Sequence, residues 1–244
     1  MTFRQRAKKI LDFVAMPIIC WADDGNARKL KLPKYLRKYN LFYADPREVK
    51  YIINKKNEDI CRSSFVAGGD WDQDAVNFVD KEKDSWPAPL KDRIEAILNT
   101  KKKYKENLTW EEVGEIDRLL DGIRKGGAKD GLKSELDIKK RLDKLDSLAK
   151  NLESGSSMLS QWELHGISFR EKGGIQTALG RDGQIIFLNS DGHHRLGMAM
   201  ALTSVIPLSI HSIHPDTIKR INDYFRPQNG KLMHCSVLKP QNRK

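Results

Sequence analysis

Asp191-Gly192-His193-His194-Arg195 puts a carboxylate, a permissive backbone position, two imidazoles and a guanidinium into five consecutive residues. Arginine grips phosphate oxygens through paired N–H groups, and histidine can donate to a phosphoryl oxygen or shuttle a proton. Glycine lets a backbone come close to a ligand. Together these residues suggest an anion site of the phosphate type. A second candidate is Gly69-Asp70-Trp71-Asp72. In an extended segment, side chains two apart point the same way. Asp70 and Asp72 would then suit Mg²⁺, a hard cation that takes carboxylates and phosphates together. Alternatively, one of them would act as general base on an acceptor hydroxyl, with Trp71 facing the interior. His214 is a third candidate, and Glu163, His165 and His211 are weaker ones. A zinc site built from the histidines matches no recognised ligand spacing.

The elements around the first cluster explain why it draws notice. Ile185-Ile186-Phe187-Leu188 reads as a short buried strand, and Leu196-Gly197-Met198-Ala199-Met200-Ala201-Leu202 as a helix of small and apolar residues. The polar cluster thus falls where a strand turns into a helix. Backbone N–H groups are unpaired there and the helix dipole favours an anion. Asp191 is placed to cap that helix or to hold a metal.

Several of these residues carry a family likeness. Gly180-Arg181-Asp182-Gly183-Gln184-Ile185-Ile186-Phe187, the Asp191–Arg195 turn with Leu196, and Val205-Ile206-Pro207-Leu208-Ser209-Ile210 together resemble the core of the ParB/sulfiredoxin superfamily. A Gly-x-His-Arg-type turn there opens a helix and grips nucleotide phosphates. Members include a CTP-hydrolysing DNA-partition protein, ATP-using sulfiredoxins and a free-serine kinase. One branch adds an upstream Gly-Asp-Trp-Asp and a downstream His, here Gly69–Asp72 and His214. Within that branch, His193 stands where arginine is usual, which makes a fixed charge pH-dependent. Ile213 and Thr217 also depart from its arginine and tryptophan.

The resemblance implies a cofactor, ATP or another nucleoside triphosphate with Mg²⁺, and phosphoryl transfer to a hydroxyl on a sugar, an amino acid or a glycan precursor. Asp191, Gly192, His193, His194, Arg195 and Gly69 would bind the nucleotide. Asp70, Asp72, His194 and His214 would be catalytic, with Asp70 and Asp72 holding the metal. Two rival functions stand beside it, the first resting on the basic ends of the chain and the second on the same carboxylates and histidines. One is a non-catalytic nucleic-acid-binding switch, for which no helix-turn-helix signature or basic–aromatic interleaving is seen. The other is a metal-dependent nuclease.

Composition bounds the rest. The 244 residues permit one large domain or a core with a helical attachment, and 39% hydrophobic against 32% charged leans polar. Cys20, Cys61 and Cys235 are odd in number and far apart, which suggests neither a disulfide framework nor a zinc pair and fits a cytoplasmic location. The net charge of +11 belongs to the ends: residues 1–50 hold 12 Lys/Arg against 5 Asp/Glu, and residues 226–244 hold 5 against none. Residues 2–15 read as a basic amphipathic helix with Phe3, Ala7, Ile10, Leu11 and Val14 on one face. Such a helix either docks on the protein's own core or lies on an anionic membrane surface. No run reaches the ~18 apolar residues of a membrane span.

Along the chain, Leu41-Phe42-Tyr43 predicts a strand leading into a helix that starts near Pro46. Phe65-Val66-Ala67 is a possible short strand. Helices are expected over 90–98, 110–123 and 134–152, the second opened by a Thr109–Glu112 capping box. An Asp182-Gly183 hairpin follows, then a strand over 204–210 and a helix over 216–225. The expected fold is α/β: a small mixed sheet of ParB/sulfiredoxin type spanning residues 41–225. A helical insertion at about 85–155 interrupts it, a basic helical segment (1–40) precedes it and a basic tail (226–244) follows.

Overall fold

Side chains along Ile185-Ile186-Phe187-Leu188 alternate between two apolar clusters, Ile185 and Phe187 in one and Ile186 and Leu188 in the other. Strand residues alternate faces, so the sheet holding this strand is covered on both sides. The computed structural model describes Leu32, Leu36 and residues 40–126, 131–165, 173–188 and 191–238, with Trp162 as backbone only. The predicted basic helix over 2–15 lies outside the described residues.

The fold is α/β with one mixed eight-stranded sheet. Its strands are β1 (Leu41–Ala44), β2 (Val49–Ile52), β3 (Val76–Asn77), β4 (Gln176–Leu179), β5 (Ile185–Phe187), β6 (Ile206–Ile213), β7 (Phe225–Gln228) and β8 (Lys231–His234). They are ordered β3-β2-β5-β4-β6-β1-β8-β7. β2 runs parallel to β5 and β4 parallel to β6, while β4 and β5 form an antiparallel hairpin. β6 is buried at all eight positions, as befits a central strand.

The described helices are α1 (Lys55–Ser63), α2 (Ala88–Glu106), α3 (Glu115–Gly126), α4 (Glu135–Glu153), α5 (Gln161–His165), α6 (His193–Leu202), α7 (Pro215–Lys219), α8 (Ile221–Tyr224) and α9 (Cys235–Leu238). One face of the sheet carries α6 with α2 and α4, through Ile94, Ile97, Ala149, Leu196 and Met198. Cys61 of α1 and Trp71 cover the other. Helix α6 lies almost against α2: a Cβ on Gly197 would sit 2.8 Å from the Thr100 side chain and inside contact with the Ile97 carbonyl. Its small residues therefore serve close helix packing. The helical insertion has a small core of its own, with Trp110, Val113, Leu119, Leu132, Ile138 and Leu142.

Four expectations are corrected. After Pro46 there is only a 3-10 turn, Pro46–Glu48, and then strand β2, because Val49, Tyr51 and Ile52 pair with β5. The Thr109–Glu112 box does form, with Thr109 N donating to Glu112 (2.7 Å) and Glu112 N to Thr109 Oγ1 (3.1 Å). It closes a single turn that ends at Gly114 in left-handed backbone, so α3 starts only at Glu115. The helix expected over 216–225 breaks at Arg220 into α7 and α8. Residues 226–238 of the expected tail are folded: β7 and β8 form a hairpin whose Asn229 and Gly230 both have positive φ, as a two-residue turn of the primed type requires. β8 adds in parallel to β1, and Phe42 packs edge-on against Phe225.

Candidate functional site

Gly192 is the N-cap of α6, with φ 90°, and no side chain caps the helix. Leu196 N bonds Gly192 O at 2.8 Å, the first bond of the helical ladder. The backbone N–H groups of His193 and His194 precede that ladder and meet no acceptor among the described residues. Asp191 does not cap the helix; its half-buried carboxylate makes no bond among the described residues. The close approach foreseen for Gly192 is toward the protein itself, since a Cβ there would sit 2.5 Å from the Gly174 carbonyl oxygen. Gly174 immediately precedes the β4–β5 hairpin, so the turn is clamped to the start of β4.

The three large side chains of the turn go separate ways. His193 is buried edge-on against Phe187 (5.1 Å between centroids), and its Nε2 has no hydrogen-bond partner. Burial, aided by the Arg93 charge, pushes its pKa well below the ordinary histidine value, so it stays neutral. His194 points into the helical insertion, where its Nε2 lies 2.6 Å from Glu115 Oε1. Glu115 is fully buried and takes a two-pronged bond from Arg118, at 2.6 and 2.8 Å. Arg118 in turn meets Asp92 at 2.6 Å. Burial opposes ionisation of Glu115, but Arg118 and His194 outweigh it and hold its carboxyl at about 2. His194 is thus spent on docking α6 to the insertion rather than on a ligand. Arg195 donates to the Leu159 carbonyl, tying the turn to the loop before α5.

Asp70, Asp72 and His214 do come together, around a residue the sequence reading passed over. Residues 71–74 form a turn rather than an extended segment, and the two carboxylates converge on Arg181. Asp72 accepts from the Arg181 backbone N–H (2.7 Å), from Nε (3.0 Å) and from Nη2 (2.9 Å). Asp70 accepts from Nη2 at 2.8 Å. Burial works against the Asp72 charge, yet the Arg181 bonds hold its pKa below the usual aspartate value. The Asp72 side chain is only 2% exposed, whereas that of Asp70 is 80% exposed. His214 caps α7: its Nδ1 accepts from Asp216 N at 3.2 Å, which leaves the proton on Nε2 to donate to Gly69 O at 3.1 Å. Both ring nitrogens are occupied. Trp71 is buried and donates to Ala67 O, as its expected inward orientation demands.

The two candidate clusters are therefore apart. Gly192 packs on Gly174, before β4, and Asp72 packs on Gly180, after it. The six positions from Gly174 to Gly180, which include the four residues of β4, span roughly 20 Å at ~3.3 Å per residue. A cation with ligands at ~2.1 Å cannot touch a phosphate at the turn and the Asp70–Asp72 pair at once. Among the described residues, no group of three or more His, Cys, Asp or Glu side chains could hold a metal ion, and no helix is long and apolar enough to cross a membrane. The weaker candidates separate as well. Glu163 forms a capping box with Ser160 and accepts from the Tyr43 hydroxyl, His165 is exposed, and His211 is buried in β6.

Beside Arg181 lies an open cleft of about 400 Å³, lined by Arg181, Asp182, Asp216, Lys219 and Arg220. Sequence reasoning missed Arg181 because its partners are more than a hundred residues upstream. Glu115 had a fainter signal: it sits four residues before buried Leu119, on the apolar stripe of α3. Comparison with protein-family models, characterised proteins and solved structures finds no match for this chain.

Proposed function

We propose that this protein binds a nucleotide through its phosphates at the amino end of α6, in a core of ParB/sulfiredoxin type. One observation carries the reading: a strand leads to a ten-residue helix that opens at left-handed Gly192, with no side-chain cap among the described residues. The first-turn N–H groups of buried His193 and His194, which meet no acceptor among the described residues, and the helix dipole favour an anion there. Two further features support it, the unpartnered Nε2 of neutral His193 and the Asp191 carboxylate, which makes no bond among the described residues. A neutral imidazole whose Nε2 carries the proton donates to a phosphate oxygen without a fixed charge.

These residues fit a phosphate. The Mg²⁺ that the resemblance implies fits less well as first expected, because Asp72 is enclosed by Arg181. Asp191 is the carboxylate next to the phosphate position, and Mg²⁺ is usually held by one or two carboxylates together with substrate phosphates. When bound, the ion would neutralise phosphate charge. Transfer to a small hydroxyl acceptor or a glycan precursor is the reaction class that the resemblance implies, and the phosphate grip is the part that the geometry supports.

A thermal-shift panel of nucleoside mono-, di- and triphosphates, with and without Mg²⁺, tests the reading. A ligand at a hundred times its Kd stabilises by about 2.7 kcal/mol, which for a chain this long raises Tm by roughly 5–11 °C. Wild-type protein should show such a rise, and Asp191→Asn should lose the part that depends on Mg²⁺. No rise with any nucleotide would end the proposal.

A further inference from the structure

The cleft at the far end of β4 is built from three cations whose partners are unequal. Arg181 is fixed from behind: its Nε and Nη2 bond Asp72, and Nη2 also bonds Asp70 and the Gly69 carbonyl. Its Nη1 has no partner among the described residues. Arg220 stands beside it, with Nη2 on the Arg181 carbonyl (3.2 Å) and on Asp182 (3.3 Å), and its guanidinium 5.6 Å from the Tyr224 ring centroid. Its Nε and Nη1 are likewise unengaged. Lys219 bonds Asp216 at 2.7 Å. The Arg220–Asp182 and Lys219–Asp216 pairs have side chains that are half or more exposed. Such pairs are held weakly in water and exchange readily for another anion. The buried Asp72, by contrast, keeps the Arg181 guanidinium in one orientation, which preorganises its remaining Nη1 donor.

We infer a second anion subsite here, separate from α6, in which Arg181, Arg220 and Lys219 bind an oxyanion of a small ligand while Asp182 and Asp216 accept hydrogen bonds from its hydroxyl groups. The volume of about 400 Å³ is that of a small-molecule site. Arg181 Nη1 and Arg220 Nε and Nη1, which have no partner among the described residues, offer donors suited to a phosphate ester or a carboxylate carrying hydroxyls. The subsite stands independently of the α6 reading, because the two lie at opposite ends of β4.

The test is a titration of the ¹⁵N-labelled full chain at constant ionic strength, following backbone amides and arginine Nε–H signals. Inorganic phosphate is one arm, acetate the second and glycerol phosphate the third. Saturable shifts at Arg181 Nε–H, Arg220 Nε–H and Gly183 are expected, with glycerol phosphate binding more tightly than phosphate. Arg220→Gln, at an exposed position, should weaken binding about tenfold, the loss of one charge-assisted contact. Its spectrum away from the cleft should stay unchanged. Asp182→Asn should remove the advantage of glycerol phosphate. A tighter phosphate arm assigns a phosphate ester, and a tighter acetate arm a carboxylate. Shifts that fail to saturate, or equal affinity in Arg220→Gln, would overturn the inference. Shifts confined to residues 192–195 would overturn it too while leaving the α6 reading standing.

Discussion

Glu115→Gln keeps the shape of a fully buried side chain and removes its charge. Four donors converge on the two Glu115 oxygens: Arg118 Nη2 and His194 Nε2 on Oε1, Arg118 Nε and Asn99 Nδ2 on Oε2. A glutamine amide must turn its own NH₂ toward one of those donor pairs, so at least one buried donor loses its acceptor. Held near 2 instead of 4.5, the carboxyl contributes about 3 kcal/mol of stability at neutral pH. The folded value is the depressed one. That stability is therefore complete above the unfolded pKa of 4.5 and is lost as pH falls through about 2. At pH 3 the unfolded chain has already taken up the proton and the folded one has not, which removes about 2 kcal/mol of the advantage. Urea melts at pH 7 should thus show Glu115→Gln about 3 kcal/mol less stable, a Tm lower by roughly 6–12 °C. The gap should shrink to about 1 kcal/mol at pH 3. A variant within about 0.5 kcal/mol of wild type at pH 7, or a gap that does not narrow with acid, would refute the reasoning.

Other substitutions probe the same framework. Gly192→Ala should cost about 2–4 kcal/mol in a denaturant melt, from left-handed backbone strain and the contact with the Gly174 carbonyl. Gly197→Ala should lower stability by about 1–3 kcal/mol, because α6 must move off α2 at Ile97 and Thr100. Asp72→Asn should destabilise by about 2–3 kcal/mol through the stranded Arg181 donors. Because the folded Asp72 pKa is depressed, the wild-type advantage should be present above the normal aspartate pKa and fade as pH falls below it.

The strand–turn–helix around Asp191–Arg195 and the Asp182-Gly183 hairpin were legible because each is local: β-branched runs, a turn dipeptide, and a helix of small residues. The Asn229-Gly230 hairpin carries an equally local turn signal, set among basic residues whose charge pattern alone matches a solvated tail. Helix boundaries at Gly114 and Arg220 depend on single backbone conformations that periodicity does not encode. What lay beyond the sequence was long-range pairing. His194 reads as a ligand donor until Glu115, seventy-nine positions upstream, is folded against it. Asp72 reads as a metal ligand until the hairpin delivers Arg181 to it. In both cases the residue type was right for chemistry and a distant partner consumed it.

The central claim, a nucleotide phosphate seated on the amino end of α6, is tested most directly by titrating the ¹⁵N-labelled full chain with ATP and reading the backbone amides of Gly192, His193 and His194. Saturable downfield shifts there, abolished in Gly192→Ala samples shown to be folded, are the expected result. Saturable binding that leaves these three amides unmoved, or no binding, would contradict it.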